Sequence, residues 1–142
     1  MYKGVPVKGI EFYNLLFESE EFTSELGKVE LASGKLEAGL LLLLKQNGID
    51  KTNKKVTLGG LIKAAKEINV LDNNLIIALK EISDQRNYLT HNIYALFTGV
   101  IEETILGKNG LLDSDVEVFV EMAWQLKENL NGLAENIMVS LK

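Results

Sequence analysis

Between Glu20 and Gly48 the apolar residues Leu26, Val29, Leu36, Leu40 and Leu43 return at intervals of three, four or seven, with Ala32 or Ser33 filling the gap. Those intervals repeat one face of a helix, so the spacing predicts a long helix with a buried stripe. It starts near Glu20 or Glu21, whose carboxylates suit a helix N-terminus, and runs to about Lys45, ending at Asn47-Gly48. The polar, lysine-rich stretch 50–55 reads as a loop. Thr57 stands where an N-cap belongs, ahead of a short helix carrying Leu61, Ile62, Ala65 and Ile68 and ending near Asn69.

Asp72 opens a further long helix through Leu75, Leu79, Ile82, Leu89, Ile93, Leu96 and Val100 to about Gly107, and Lys108-Asn109-Gly110 is a turn. Ser114-Asp115-Val116-Glu117 has the form of a capping box for a last helix. Its apolar stripe runs Val118, Met122, Leu126, Leu130 and Leu133, widened by Val120 and Trp124, which packs within the bundle. Ile10, Phe12, Leu15, Leu16 and Phe17 add a short packing helix over residues 8–18. The one proline, at position 6, leaves long stretches without breakers. The expectation is an all-α, antiparallel bundle of four to five helices in a single domain spanning residues 1–142.

Hydrophobic content of 46% and charged content of 25% are those of a globular protein in water. The apolar run Leu40 to Leu44 is far short of a membrane span, and the first six residues open no secretory pattern. A cytoplasmic protein with no membrane partner is the expectation. With no cysteine there is neither a disulfide framework nor a thiolate site. The net charge of −5 argues against nonspecific coating of nucleic acid. Residues 45–91 nevertheless form a weakly basic island of net +3 between flanks of −3 and −5. Lys51, Lys54 and Lys55 could touch an RNA backbone, but a solvated loop is the plainer reading and is preferred. Glu20, Glu21 and Glu25 read as surface acids. Thr57-Leu58-Gly59-Gly60 lacks the ending of a phosphate loop and reads as a helix start.

The island holds the only arginine, Arg86, and the only histidine, His91, in Gln85-Arg86-Asn87-Tyr88-Leu89-Thr90-His91-Asn92-Ile93-Tyr94. Arginine binds phosphate bidentately where lysine cannot, and histidine alone exchanges protons near neutral pH. On an ideal helix Arg86 falls on the apolar line, while Asn87, His91 and Tyr94 lie on another face. At roughly 100° per residue, Arg86 and His91 then point about 140° apart. A snorkelling side chain, an irregular helix or a second copy across a dimer seam would bring them together. The plainer alternative is a buried Arg86 paired with a carboxylate and a surface His91 with no task.

Arg86, four residues, then His91, with Asn87 directly after the arginine, resembles the R-x(4–6)-H motif of HEPN domains. The resemblance implies a small all-α bundle that usually dimerises. It also implies metal-independent endoribonuclease activity of a toxin–antitoxin or phage-defence type. It carries over to Arg86, Asn87 and His91. One branch, whose antitoxin is a minimal nucleotidyltransferase, has H-x-Y after the arginine, whereas here Tyr94 comes one residue later. The family resemblance as a whole, not Tyr94, implies a nucleotidyltransferase-like antitoxin as a partner, beside an RNA substrate and a second copy of the chain.

With one histidine and no cysteine a zinc site is implausible, and no dense carboxylate cluster around the motif would hold two magnesium ions, so no metal or cofactor is expected. The chemistry left is RNA cleavage through the substrate's own 2′-hydroxyl. In it His91 acts as acid or base, Arg86 stabilises phosphoryl charge, and Asn87 orients His91 or the phosphate. Tyr94 adds a hydrogen bond or stacks a base. One histidine per chain does not easily serve as both acid and base, which is a second reason to expect a homodimer. The alternative is a non-catalytic HEPN-like bundle acting as a protein-interaction module, which the acidic charge favours. An unrelated four-helix interaction protein is a third reading.

Overall fold

The computed structural model describes residues 4–51, 55–91, 93–97 and 111–141, and these are helical with no strand among them. The helices are α1 (Gly9–Glu18), α2 (Glu20–Gln46), α3 (Leu58–Glu67), α4 (Asn73–Arg86), α5 (Ile93–Phe97) and α6 (Val116–Ser140). A π-turn over Asn87–His91 joins α4 to α5, and a 3-10 turn over Asp113–Asp115 precedes α6. None of the helices is long and apolar enough to cross a membrane.

Local signals account for most of these limits. Ser19 caps α2 by accepting the Phe22 N–H at 3.1 Å, and Thr57 caps α3 by accepting that of Gly60 at 3.0 Å. Beyond the C-caps Asn47 and Ile68, the chain turns away through left-handed residues, Gly48 at φ 84 and Asn69 at φ 55. Asp72 sits at the N-cap of α4 without a side-chain cap bond. The capping box expected at Ser114 is not formed. Ser114 lies inside the 3-10 turn with a partnerless buried hydroxyl, and Asp115 accepts the Leu112 N–H at 2.8 Å instead. The helix expected to run from Asp72 to Gly107 is interrupted by the π-turn. Residues 98–110, including the expected turn at 108–110, lie outside the described residues, as do Asn53 and Lys54 of the lysine loop.

The two longest helices lie side by side and run in the same direction, not antiparallel. Lys127 Nζ meets Glu25 Oε2 at 3.2 Å, and ten residues further along α2 Lys35 Nζ meets Glu135 Oε1 at 2.8 Å. Beyond that pair Gly39 faces Ile137, and a Cβ on Gly39 would stand 3.1 Å from the isoleucine Cγ2. The glycine thus lets the two backbones approach. The segment α4–α5 runs the opposite way: Phe97 meets Phe119 near the start of α6, while Ala78 faces the stretch near Asn136.

Leu36, Leu40, Leu44, Leu61, Leu79, Leu126 and Leu130 form the centre of the core, each at most 2% exposed. Burial of this kind contributes about 1.5–3 kcal/mol per side chain. Phe12 of α1 closes one end, edge-on to Phe97 at 5.4 Å and to Phe119 at 5.1 Å. The extended N-terminal segment joins there: Pro6 bridges Leu112, and the Val7 N–H donates to the Leu111 carbonyl at 3.0 Å.

Four expectations shift. The buried line of α6 is Phe119, Ala123, Leu126, Leu130, Ala134 and Ile137, so Val118 is 53% exposed. Trp124 is not enclosed by the bundle but half-exposed, with Lys127 Nζ 5.5 Å from its ring centroid. Ile10 and Phe17 of α1 face outward. Glu25 is not a free surface acid. Burial pushes its carboxyl up, but hydrogen bonding and charge from Lys127 and Lys28 more than reverse this and hold it below the usual value.

Candidate functional site

Arg86 is the last residue of α4, on the face that also carries Ile76, Leu79, Ile82 and Ser83, and it is 9% exposed. The apolar line that runs through it in the sequence is the face that packs inward. The π-turn begins at the next residue and ends at His91. In such a turn N–H groups reach back five residues instead of four, so residues five apart come to one side. Arg86 and His91 are five apart, and they meet: Arg86 Nη1 lies 3.0 Å from His91 Nε2. The irregular helix, not the snorkelling side chain or the dimer seam, makes this contact within one chain. The Thr90 hydroxyl supports the turn by donating to the Arg86 carbonyl at 2.7 Å.

The guanidinium carries donors only, so His91 Nε2 is the acceptor. The imidazole in this contact is therefore neutral, with its proton on Nδ1. Arg86 is buried at its stem, whereas His91 is exposed, so the pair opens to solvent at the imidazole. Asn87 starts the π-turn and is half-buried, and its side chain makes no hydrogen bond to Arg86 or His91. Tyr94, on α5, is 49% exposed and stands edge-on to Tyr13 at 4.8 Å. Tyr13 in turn stacks with Phe17 at 6.3 Å. The structure thus joins Arg86 to His91, and places Asn87 and Tyr94 on adjoining turns.

Helix α2 contributes residues that sequence reasoning missed. Glu30 Oε1 lies 3.9 Å from Arg86 Nη1, and Glu37 Oε1 lies 3.9 Å from Nη2. These distances are ion pairs, too long for hydrogen bonds. The buried Arg86 Nε has no partner, and neither does the buried Oγ of Ser33, which shares the α2 face of the two glutamates. The guanidinium is thus held by charge, with most of its donors unspent. One guanidinium, two carboxylates and a neutral imidazole leave the site with a net charge of −1. The signal for this face was Ser33 itself, a hydroxyl in an otherwise apolar stripe, flanked by glutamates three and four residues away.

Part of the basic island does assemble, since Lys66 of α3 beside Lys80 of α4 holds the Lys80 ammonium below the usual lysine range. Among the described residues no three His, Asp or Glu side chains converge as a metal-holding group. A groove of about 390 Å³ lies between α4 and α6, but neither Arg86 nor His91 lines it. The Arg86–His91 pair and the groove are therefore in different places. Comparison with family models, curated proteins and solved structures finds no match to this chain.

Proposed function

We propose that this chain is a HEPN-like, metal-independent endoribonuclease of a toxin–antitoxin or phage-defence type. The observation that carries the reading is the 3.0 Å contact between Arg86 and His91 across the π-turn. It puts a phosphate-binding fork and a proton acceptor within one phosphoryl group of each other. A phosphodiester entering from the exposed His91 side draws the guanidinium onto its oxygens and releases Nε2. That nitrogen takes the proton of the 2′-hydroxyl as the 2′-oxygen attacks phosphorus. The bond from phosphorus to the 5′-oxygen breaks, leaving a 2′,3′-cyclic phosphate and, once the 5′-oxygen is protonated, a 5′-hydroxyl. A homodimer supplies a second His91, which delivers that last proton as the imidazolium, released from its own arginine, and Tyr94 offers its exposed ring to a base.

The second reading is a non-catalytic HEPN-like bundle that engages a partner protein, with a nucleotidyltransferase-like antitoxin among the candidates. It is favoured by Glu30 and Glu37, whose charges oppose a phosphate at Arg86. The deciding experiment is cleavage of a mixed RNA pool by purified protein in EDTA, with His91→Ala alongside. Cleavage that leaves 2′,3′-cyclic ends and vanishes in the variant supports the ribonuclease. Its absence, or equal cleavage by both proteins, transfers the assignment to the interaction module.

A further inference from the structure

The groove between α4 and α6 has a chemistry of its own. Its floor is apolar, formed by Ala78, Ile82 and Leu133, and Gly132 leaves it open, since a Cβ there would touch nothing within 4 Å. Its walls carry three carboxamides, Gln85, Asn129 and Asn136, and two carboxylates, Glu81 and Glu128, the second with Lys127 Nζ at its edge, 4.0 Å from Oε2. Two carboxylates against one lysine still disfavour an anion. Carboxamides donate and accept at once, which suits the N–H and C=O groups of a peptide backbone.

The spacing narrows the occupant. Asn129 and Asn136 are seven residues apart on α6, two helical turns or about 10.5 Å. Backbone groups that point the same way in a polyproline-II strand recur every three residues, roughly 9 Å, and such a strand has no hydrogen bonds of its own. The Gln125 Nε2 donates to the Asn129 Oδ1 at 3.1 Å, which orients the Asn129 amide toward donation. The geometry points to a binding groove for an extended, basic segment of a partner protein. The Asn129 and Asn136 carboxamides hold its backbone, and Glu81 and Glu128 take its lysine or arginine side chains.

The test uses a fluorescein-labelled nonapeptide of three Lys-Ala-Ala repeats, with a Glu-Ala-Ala counterpart, read by fluorescence anisotropy against the full chain. Binding of the basic peptide alone is expected. Asn129→Ala and Asn136→Ala should each weaken it about fivefold, the loss of roughly one hydrogen bond, at unchanged net charge and unchanged circular dichroism. Gly132→Val, which fills the floor, should abolish it. No binding of the basic peptide overturns the assignment. So does equal binding by both asparagine variants, which would leave only attraction to an acidic protein. Binding of a 12-nucleotide RNA that the same asparagine variants weaken would make the groove a nucleic-acid site and overturn it as well.

Discussion

Arg86 and His91 are joined through the histidine Nε2, so the arginine selects the imidazole tautomer that keeps its proton on Nδ1. The selection depends on the π-turn, because on a regular α-helix the two side chains diverge. Thr90 is the residue that supports the turn, through its hydroxyl on the Arg86 carbonyl. Thr90→Val keeps the shape and removes that bond, at a cost of about 1 kcal/mol. The expected outcome is a mixture of His91 tautomers in imidazole ¹⁵N spectra where the parent protein shows one. A single unchanged tautomer would show that the turn holds without Thr90.

Arg86→Lys keeps a positive charge but loses the planar fork, so it cannot hold Nε2 and a phosphoryl oxygen together. In the ribonuclease reading it should lower cleavage by about 100-fold or more while the circular dichroism spectrum stays helical. A lysine variant within threefold of the parent would remove Arg86 from the mechanism.

Glu30→Gln and Glu37→Gln each delete a negative charge 3.9 Å from the guanidinium. Both glutamates are substantially exposed, which limits the effect to about 1 kcal/mol or less. Affinity for a short RNA should rise up to about fivefold in either variant, with the gain fading as salt is raised. A loss of affinity would show that the carboxylates assist binding instead of opposing it.

Glu25 is an acid that, against the upward push of burial, is held below its usual value by Lys127 and Lys28. A depressed carboxylate contributes stability above its unfolded value and loses it as pH falls through the folded value. Glu25→Gln should therefore lower the Tm by roughly 2–3 °C at pH 7. Below the usual carboxylate value the difference should shrink and then vanish. A Tm difference that persists undiminished at pH 3 would show that packing, not charge, is responsible.

Two glycines of α2 separate close approach from mere tolerance. Gly39→Val drives a branched side chain into Ile137 and should cost about 1–3 kcal/mol in urea unfolding. Gly27→Ala meets nothing within 4 Å and should stabilise the helix by roughly 0.5–1 kcal/mol. Opposite signs from substitutions in one helix would locate the α2–α6 contact at Gly39.

The helices were legible where a local signal sets them. Thr57 capped its helix as its position implied, and α2 ran from its acids at 20–21 to Asn47-Gly48. The stripe of α6 was misplaced because apolar residues cover more than half of that helix. Two lines share Leu126 and Leu130, and only the approach of α2 at Gly39 selects the one through Ala134 and Ile137. The π-turn was illegible for a different reason: hydrophobic spacing does not register one wider turn in a long helix. Glu30 and Glu37 lie about fifty residues from Arg86, and no pattern in the motif names its partners on another helix.

The parallel course of α2 and α6 bears on how the chain is made. Lys35 and Glu135 are a hundred residues apart, so the part of α2 that packs on α6 stays uncovered until the ribosome has synthesised almost the whole of α6. At about 5–20 residues per second, that interval is roughly 5 to 20 seconds. During it Leu36, Leu40 and Leu44 offer a ready surface to chaperones.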